Sequence, residues 1–132
     1  MSGIFIEPSE TVAIKIYVGK NKSDMRLLAS HDVDVLKNDK DFETTSLKEY
    51  EIVLKRPSYR DEVSILKSGI QGDASALQFN FAEVSYNRLV NLLKSWTFVD
   101  DQDVPIPSTK ENIDKLHPAI ARSIIDALDT LM

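Results

Sequence analysis

The chain contains no cysteine. That absence removes thiol nucleophiles, thiolate zinc sites and any disulfide framework together. Glycine is scarce as well: four are scattered through 132 residues, and none precedes the Lys-Ser or Lys-Thr pair of a phosphate-binding loop. Only His31 and His117 supply imidazoles, and neither has a Ser or a carboxylate at a spacing that defines a catalytic arrangement. No apolar run approaches the about 18 residues needed to cross a bilayer. The opening Met1-Ser2-Gly3-Ile4-Phe5 lacks the basic-then-apolar layout of a signal peptide. A cytoplasmic location and no membrane association are therefore expected. Sixteen basic against twenty-one acidic side chains leave a net charge of −5, which argues against a general phosphate-backbone binder. Neither an enzyme, nor a cofactor or metal site, nor nucleic acid as a main partner is expected.

What remains is enough chain for one domain with its own core. Residues 11–18 alternate, with Val12, Ile14, Ile16 and Val18 on one face, and predict a half-buried strand ending at the turn-like Gly19-Lys20-Asn21-Lys22. A second strand is expected at residues 49–55, with Tyr50, Ile52 and Leu54 on one face and Arg56-Pro57 as its stop. The two should pair in a small antiparallel sheet, with residues 3–7 as an extra edge. The polar, aperiodic stretch 38–46 reads as a loop. Residues 25–36 suit either a short helix or a strand.

From Ser58 the apolar period changes from two to about 3.6. Val63, Leu66 and Ile70 mark one helix, opened by Asp61-Glu62 and closed by Gly69 and Gly72. A longer helix is expected over residues 73–96 on the stripe Ala82, Tyr86, Leu89, Leu93 and Trp96. Pro105 and Pro107 make residues 100–107 a loop. Ser108 and Glu111 have capping-box spacing for a short helix to about Leu116. Pro118 restarts a last helix whose apolar face is Ala121, Ile124, Ile125, Leu128 and Leu131. The expected fold class is α+β: one domain over 1–132, with a small N-terminal antiparallel sheet and loops in 1–56, and three to four helices in 57–132.

Several motifs have plain structural explanations. Asp101 and Asp103 resemble the first two ligands of a calcium loop, but Ile106 stands where glycine is needed and Asn112 where glutamate is needed. Lys55, Arg56 and Arg60 are surrounded by Glu49, Glu51, Asp61 and Glu62, which favours local ion pairing over a nucleic-acid contact. Arg60 is expected to brace helix against strand. Trp96 and Phe98 suit either a core plug or an aromatic anchor for a partner.

The stretch Tyr50-Glu51-Ile52-Val53-Leu54-Lys55-Arg56-Pro57-Ser58-Tyr59-Arg60-Asp61-Glu62 resembles the opening of the tail assembly chaperones of long-tailed bacteriophages. Trp96-Thr97-Phe98-Val99-Asp100-Asp101, Pro105-Ile106-Pro107-Ser108 and Glu111-Asn112-Ile113-Asp114-Lys115-Leu116 are similar to another pattern in such phage proteins. The resemblance spans residues 48–131 and leaves the first 45 or so unexplained. It implies a non-enzymatic helper that binds the tape-measure protein during tail assembly in the host cytoplasm. The N-terminal strand region departs from mostly helical members and leaves room for a structural tail or baseplate subunit. A small regulatory or nucleic-acid-binding domain using Lys55, Arg56 and Arg60 is the further alternative.

The candidate partner-binding residues are Arg56, Arg60, Trp96, Phe98, Ile124, Leu128 and Leu131, with self-association as another use of the same faces. Pro118 offers a joint for the last helix, whose order must come from what it packs against. Removing residues 119–132 is expected to leave the strands and the long helix folded and to abolish partner binding or self-association.

Overall fold

The computed structural model describes residues 4–72 and 78–131. In chain order its elements are β1 (Thr11–Asn21), β2 (Leu27–Ser30), α1 (Val33–Lys37), β3 (Phe42–Lys55), α2 (Tyr59–Lys67), β4 (Ile70–Gln71), β5 (Gln78–Phe79), α3 (Phe81–Leu92), β6 (Leu93–Trp96), α4 (Lys110–Asp114) and α5 (Pro118–Leu131). The class is α+β, with a four-stranded antiparallel sheet in the order β2-β1-β3-β6 and helices mostly in the C-terminal part. Strands β4 and β5 form a separate antiparallel ribbon in which Ile70 faces Phe79. The chain forms two compact units: Met1–Val12 with Leu54–Lys94, and Ala13–Val53 with Ser95–Met132.

In the second unit, the alternation of β1 buries Ile14 and Ile16 on one face, as its period of two requires. The strand does not stop at Gly19; it runs on to Asn21. Gly19 is there for close approach, because a Cβ on it would lie 2.4 Å from Cε1 of the buried Phe42 ring. The turn comes later. The Asn21 carboxamide oxygen accepts from the Ser23 amide at 2.9 Å, and Met25 takes φ 58, so an Asx turn redirects the chain into β2. The register then sets Tyr17 against Ser30 and Lys20 against Leu27.

Strand β3 starts at Phe42, so residues 42–46 are strand rather than loop. Their side chains are polar, but Thr44 and Thr45 suit a pleated backbone, and Ser46 Oγ accepts from the Lys20 amide at 2.8 Å. The ambiguous stretch 25–36 resolves into both alternatives, β2 and then α1. Residues 4–7 form no strand, and Gly3 lies outside the described residues.

Helix α5 packs on β2 and buries Ile124, Ala127 and Leu128, with Ser123 satisfied through the Ile120 carbonyl at 2.7 Å. It closes the core of this unit and is not an arm held in reserve. Its start matches Pro118, and His117 Nδ1 accepts from the Ala119 amide at 3.1 Å as a side-chain cap. The preceding helix, α4, is capped by Thr109 rather than Ser108, one residue later than the capping-box spacing suggests. Residues 100–107 form the expected loop: Asp100 Oδ1 accepts from the amides of Gln102 and Val104, which gives the acidic turn a structural use.

In the first unit, Pro57 ends the strand and Ser58 opens α2 with a full capping box, its side chain and that of Asp61 each accepting from the other's backbone amide. The buried residue of α2 is Ile65, whereas Leu66 is exposed and Ile70 lies beyond the helix in β4. The long helix expected over 73–96 is shorter. Residues 73–77 lie outside the described residues, 78–79 are strand, and α3 begins only after Asn80, whose side chain accepts from the Glu83 amide at 3.1 Å. It ends at Leu92 and turns extended at Leu93, so Leu93 and Trp96 belong to β6. No proline or glycine marks this switch. Beside β6, in the second unit, the Thr97 amide donates to the Glu51 carbonyl at 3.0 Å, and strand pairing overrides the helical stripe.

Candidate functional site

Among the described residues, each unit presents a region of grouped side chains that could engage a ligand or partner. In the first unit, α2 packs on α3 and leaves a groove of about 240 Å³ lined by Pro57, Glu62, Ile65, Leu66, Val84, Arg88 and Leu92. Large apolar side chains stand exposed in the same unit: Leu66 at 53%, Ile70 at 54%, Phe79 at 43% and Phe81 at 76%. Phe79 and Phe81 meet edge to face with ring centroids 4.7 Å apart. Gly69 holds this surface together, since a Cβ there would lie 2.4 Å from Val84 Cγ2 and 3.2 Å from Phe79 Cε2. The Asn80 amide also donates to the Gly69 carbonyl at 2.8 Å. Exposed apolar side chains are ordinary when single, but an assembled group beside an apolar groove is the usual mark of an interaction surface.

The basic residues of this unit divide differently from the expectation. Lys55 Nζ lies 2.9 Å from Asp61 Oδ2, so Lys55, not Arg60, braces strand against helix. Arg60 is exposed on the first turn of α2, and Arg56 is exposed with its backbone amide donating to the Glu10 carbonyl at 3.0 Å. The Ser58 amide, which donates to Asp61 at 3.0 Å, and then the Lys55 ammonium hold the Asp61 carboxyl below its ordinary value of 3.8.

This pair gives a pH-dependent expectation. A carboxyl with a depressed folded-state pKa contributes stability that is fully present above its unfolded value and fades as pH falls through the folded one. At about pH 7, Asp61→Asn should lower stability by about 1 kcal/mol through loss of the charged cap and ion pair; at pH acid enough to protonate Asp61 in the folded protein it should cost almost nothing. Thermal melts of both proteins across that range check this. Curves that stay parallel down to acid would remove Asp61 as a source of acid sensitivity.

In the second unit, Phe98 is buried between two other rings, Tyr50 at 4.9 Å and Trp96 at 5.1 Å between centroids. The Trp96 indole N–H donates to the Ile106 carbonyl at 2.6 Å. These aromatics form one wall of a cavity of about 340 Å³, and residues of α4 and the α4–α5 link, among them Asn112, Lys115, Leu116 and His117, form another. Trp96 and Phe98 therefore come together, with Phe98 in the core and Trp96 at a cavity wall. His31 lines a different cavity of about 260 Å³ beside Ile14 and Ala127.

Ile124 and Leu128 are wholly buried and offer no side chain to a partner while α5 stays docked; the Leu131 side chain lies outside the described residues. Sequence reading missed Ile70, Phe79 and Phe81 as surface. The signal was available: Phe79 and Phe81 flank Asn80, a good helix N-cap, and so sit where a helix starts rather than along its buried stripe. No family model, no curated protein and no solved structure matches this chain.

Proposed function

We propose that this chain is a non-enzymatic protein-binding factor that resembles the phage tail assembly chaperones and holds an apolar helical segment of a tape-measure protein during tail assembly. The observation that carries the reading is the exposed apolar surface of the first unit, where Leu66, Ile70, Phe79 and Phe81 accompany the groove between α2 and α3. An amphipathic helix laid in such a groove buries its anchor residues at spacings of three and four, and the burial supplies the affinity. The motif Arg56-Pro57-Ser58-Tyr59-Arg60-Asp61 sits at the start of α2 and its cap fixes one wall of that groove. The reading needs no catalytic group, cofactor or nucleic acid, and its setting is the host cytoplasm. Among the described residues no helix is long and apolar enough to cross a membrane.

The test is co-expression with fragments of the tape-measure protein encoded in the same genome, followed by affinity measurement. Phe81→Ser, at an exposed position, should leave the melting temperature unchanged and weaken binding by about tenfold or more, as loss of an aromatic anchor does. Unchanged affinity would sink the assignment of this surface. Retention of the chain in purified particles would support the structural-subunit reading instead.

A further inference from the structure

The aromatic cavity of the second unit plays no part in the proposed function, and its lining is chemically two-sided. One wall is apolar and fixed: Tyr50, Phe98 and Trp96 pack ring against ring, and the Trp96 N–H is committed to the Ile106 carbonyl. The other carries polar side chains set by the α4–α5 link. Asn112 Nδ2 donates to the Pro107 carbonyl at 2.8 Å, which fixes the start of α4. His117 accepts from the Ala119 amide through Nδ1, so the neutral ring carries its proton on Nε2 and is a donor there. Lys115 lies 3.4 Å from Glu111, but both side chains are more than two-thirds exposed, and such a pair is held weakly.

Lys115 is the charged residue of the lining, and no carboxylate stands among its described lining residues. A site of about 340 Å³ lined by three aromatic rings together with Asn112, Lys115 and His117 has the size and mixed character of a small-molecule pocket. We infer that this cavity binds a small monocarboxylic acid, with its aliphatic or aromatic body against Trp96, Tyr50 and Ile120 and its carboxylate toward Lys115 and His117. A single ammonium matches a monoanion; a phosphate or other dianion calls for more fixed donors than this rim supplies.

Trp96 is the sole tryptophan of the chain, so its emission reads the cavity directly. The intact protein is titrated with octanoate and, as a neutral match, with octanamide. Octanoate should shift the Trp96 emission saturably, and octanamide should bind about threefold to tenfold more weakly, the range for a partly exposed charge-assisted contact. Lys115→Met, at an exposed position whose fold circular dichroism verifies, should lose that same factor for octanoate and leave octanamide unchanged. Absence of saturable change up to about 10 mM, where binding falls below about 3 kcal/mol, overturns the inference. Equal binding of acid and amide overturns it as well, as does an unaltered octanoate affinity in Lys115→Met. A capped dipeptide with a free apolar C-terminal residue that outcompetes octanoate would assign the cavity to a protein terminus and overturn the small-acid assignment.

Discussion

Removal of residues 119–132 is expected to abolish the cooperative thermal unfolding of the second unit. This reverses what the sequence alone suggests, that a terminal helix behind Pro118 is a detachable arm. Helix α5 contributes Ile124 and Leu128, both at zero exposure, together with Ala127 and Ser123, and packs on β2. Truncating one buried Leu or Ile to Ala costs about 2–5 kcal/mol, while a whole domain is stable by only about 5–15 kcal/mol. Deleting the helix removes two such side chains and the remaining contacts of its buried face in one step. It also exposes the sheet face it covered, including its contact with β2.

The measurement is circular dichroism melting of the intact and shortened chains, with binding of a hydrophobic dye as a second readout. The shortened chain should melt broadly and bind dye at room temperature, as a collapsed state without fixed packing does. A sharp melt at an unchanged temperature would show that α5 is dispensable, and would return Ile124 and Leu128 to the candidate binding residues.

A helix with an apolar stripe looks the same in sequence whether the stripe meets its own core or a partner, and only the fold decides. Elsewhere local chemistry was sufficient. The alternation of β1, the change of period that begins α2 after Ser58, the loop at residues 100–107 and the start of α5 at Pro118 follow from side chains acting within a few residues of themselves. What was not legible depended on long-range pairing. Leu93 to Trp96 continue a helical period yet form β6, and the polar residues 43–46 join β3 because a neighbouring strand satisfies their backbone. The candidate surface differs in cause: the expected long helix ran through Phe79, although Asn80 supplies the local cap after which the actual helix begins.

Gly19→Ala is expected to destabilise the second unit by about 1–3 kcal/mol, the range for forcing an extra methyl into a filled core. A glycine inside a strand ordinarily costs about 0.5–1 kcal/mol relative to alanine, so on backbone entropy alone the substitution should stabilise. Packing reverses that sign. The added Cβ would lie 2.4 Å from Phe42 Cε1 and 2.5 Å from Phe42 Cζ, with Ser46 Oγ at 3.0 Å. Phe42 is 2% exposed, and its ring is a rigid body inside the core rather than the free end of a flexible chain, so relief requires moving the ring or the strand. The Lys20 amide, bonded to Ser46 Oγ at 2.8 Å, ties the strand beside the crowded point. A double-mutant cycle separates this clash from general disturbance of the core. Phe42→Leu should destabilise by itself through lost burial, but in that background Gly19→Ala should become neutral or stabilising, because the overlapping ring atoms are gone. Denaturant unfolding of the four proteins measures the coupling. Additive effects would mean that Gly19 and Phe42 do not compete for the same space, and the passage of β1 beyond Gly19 would then need a cause other than the close approach of that ring.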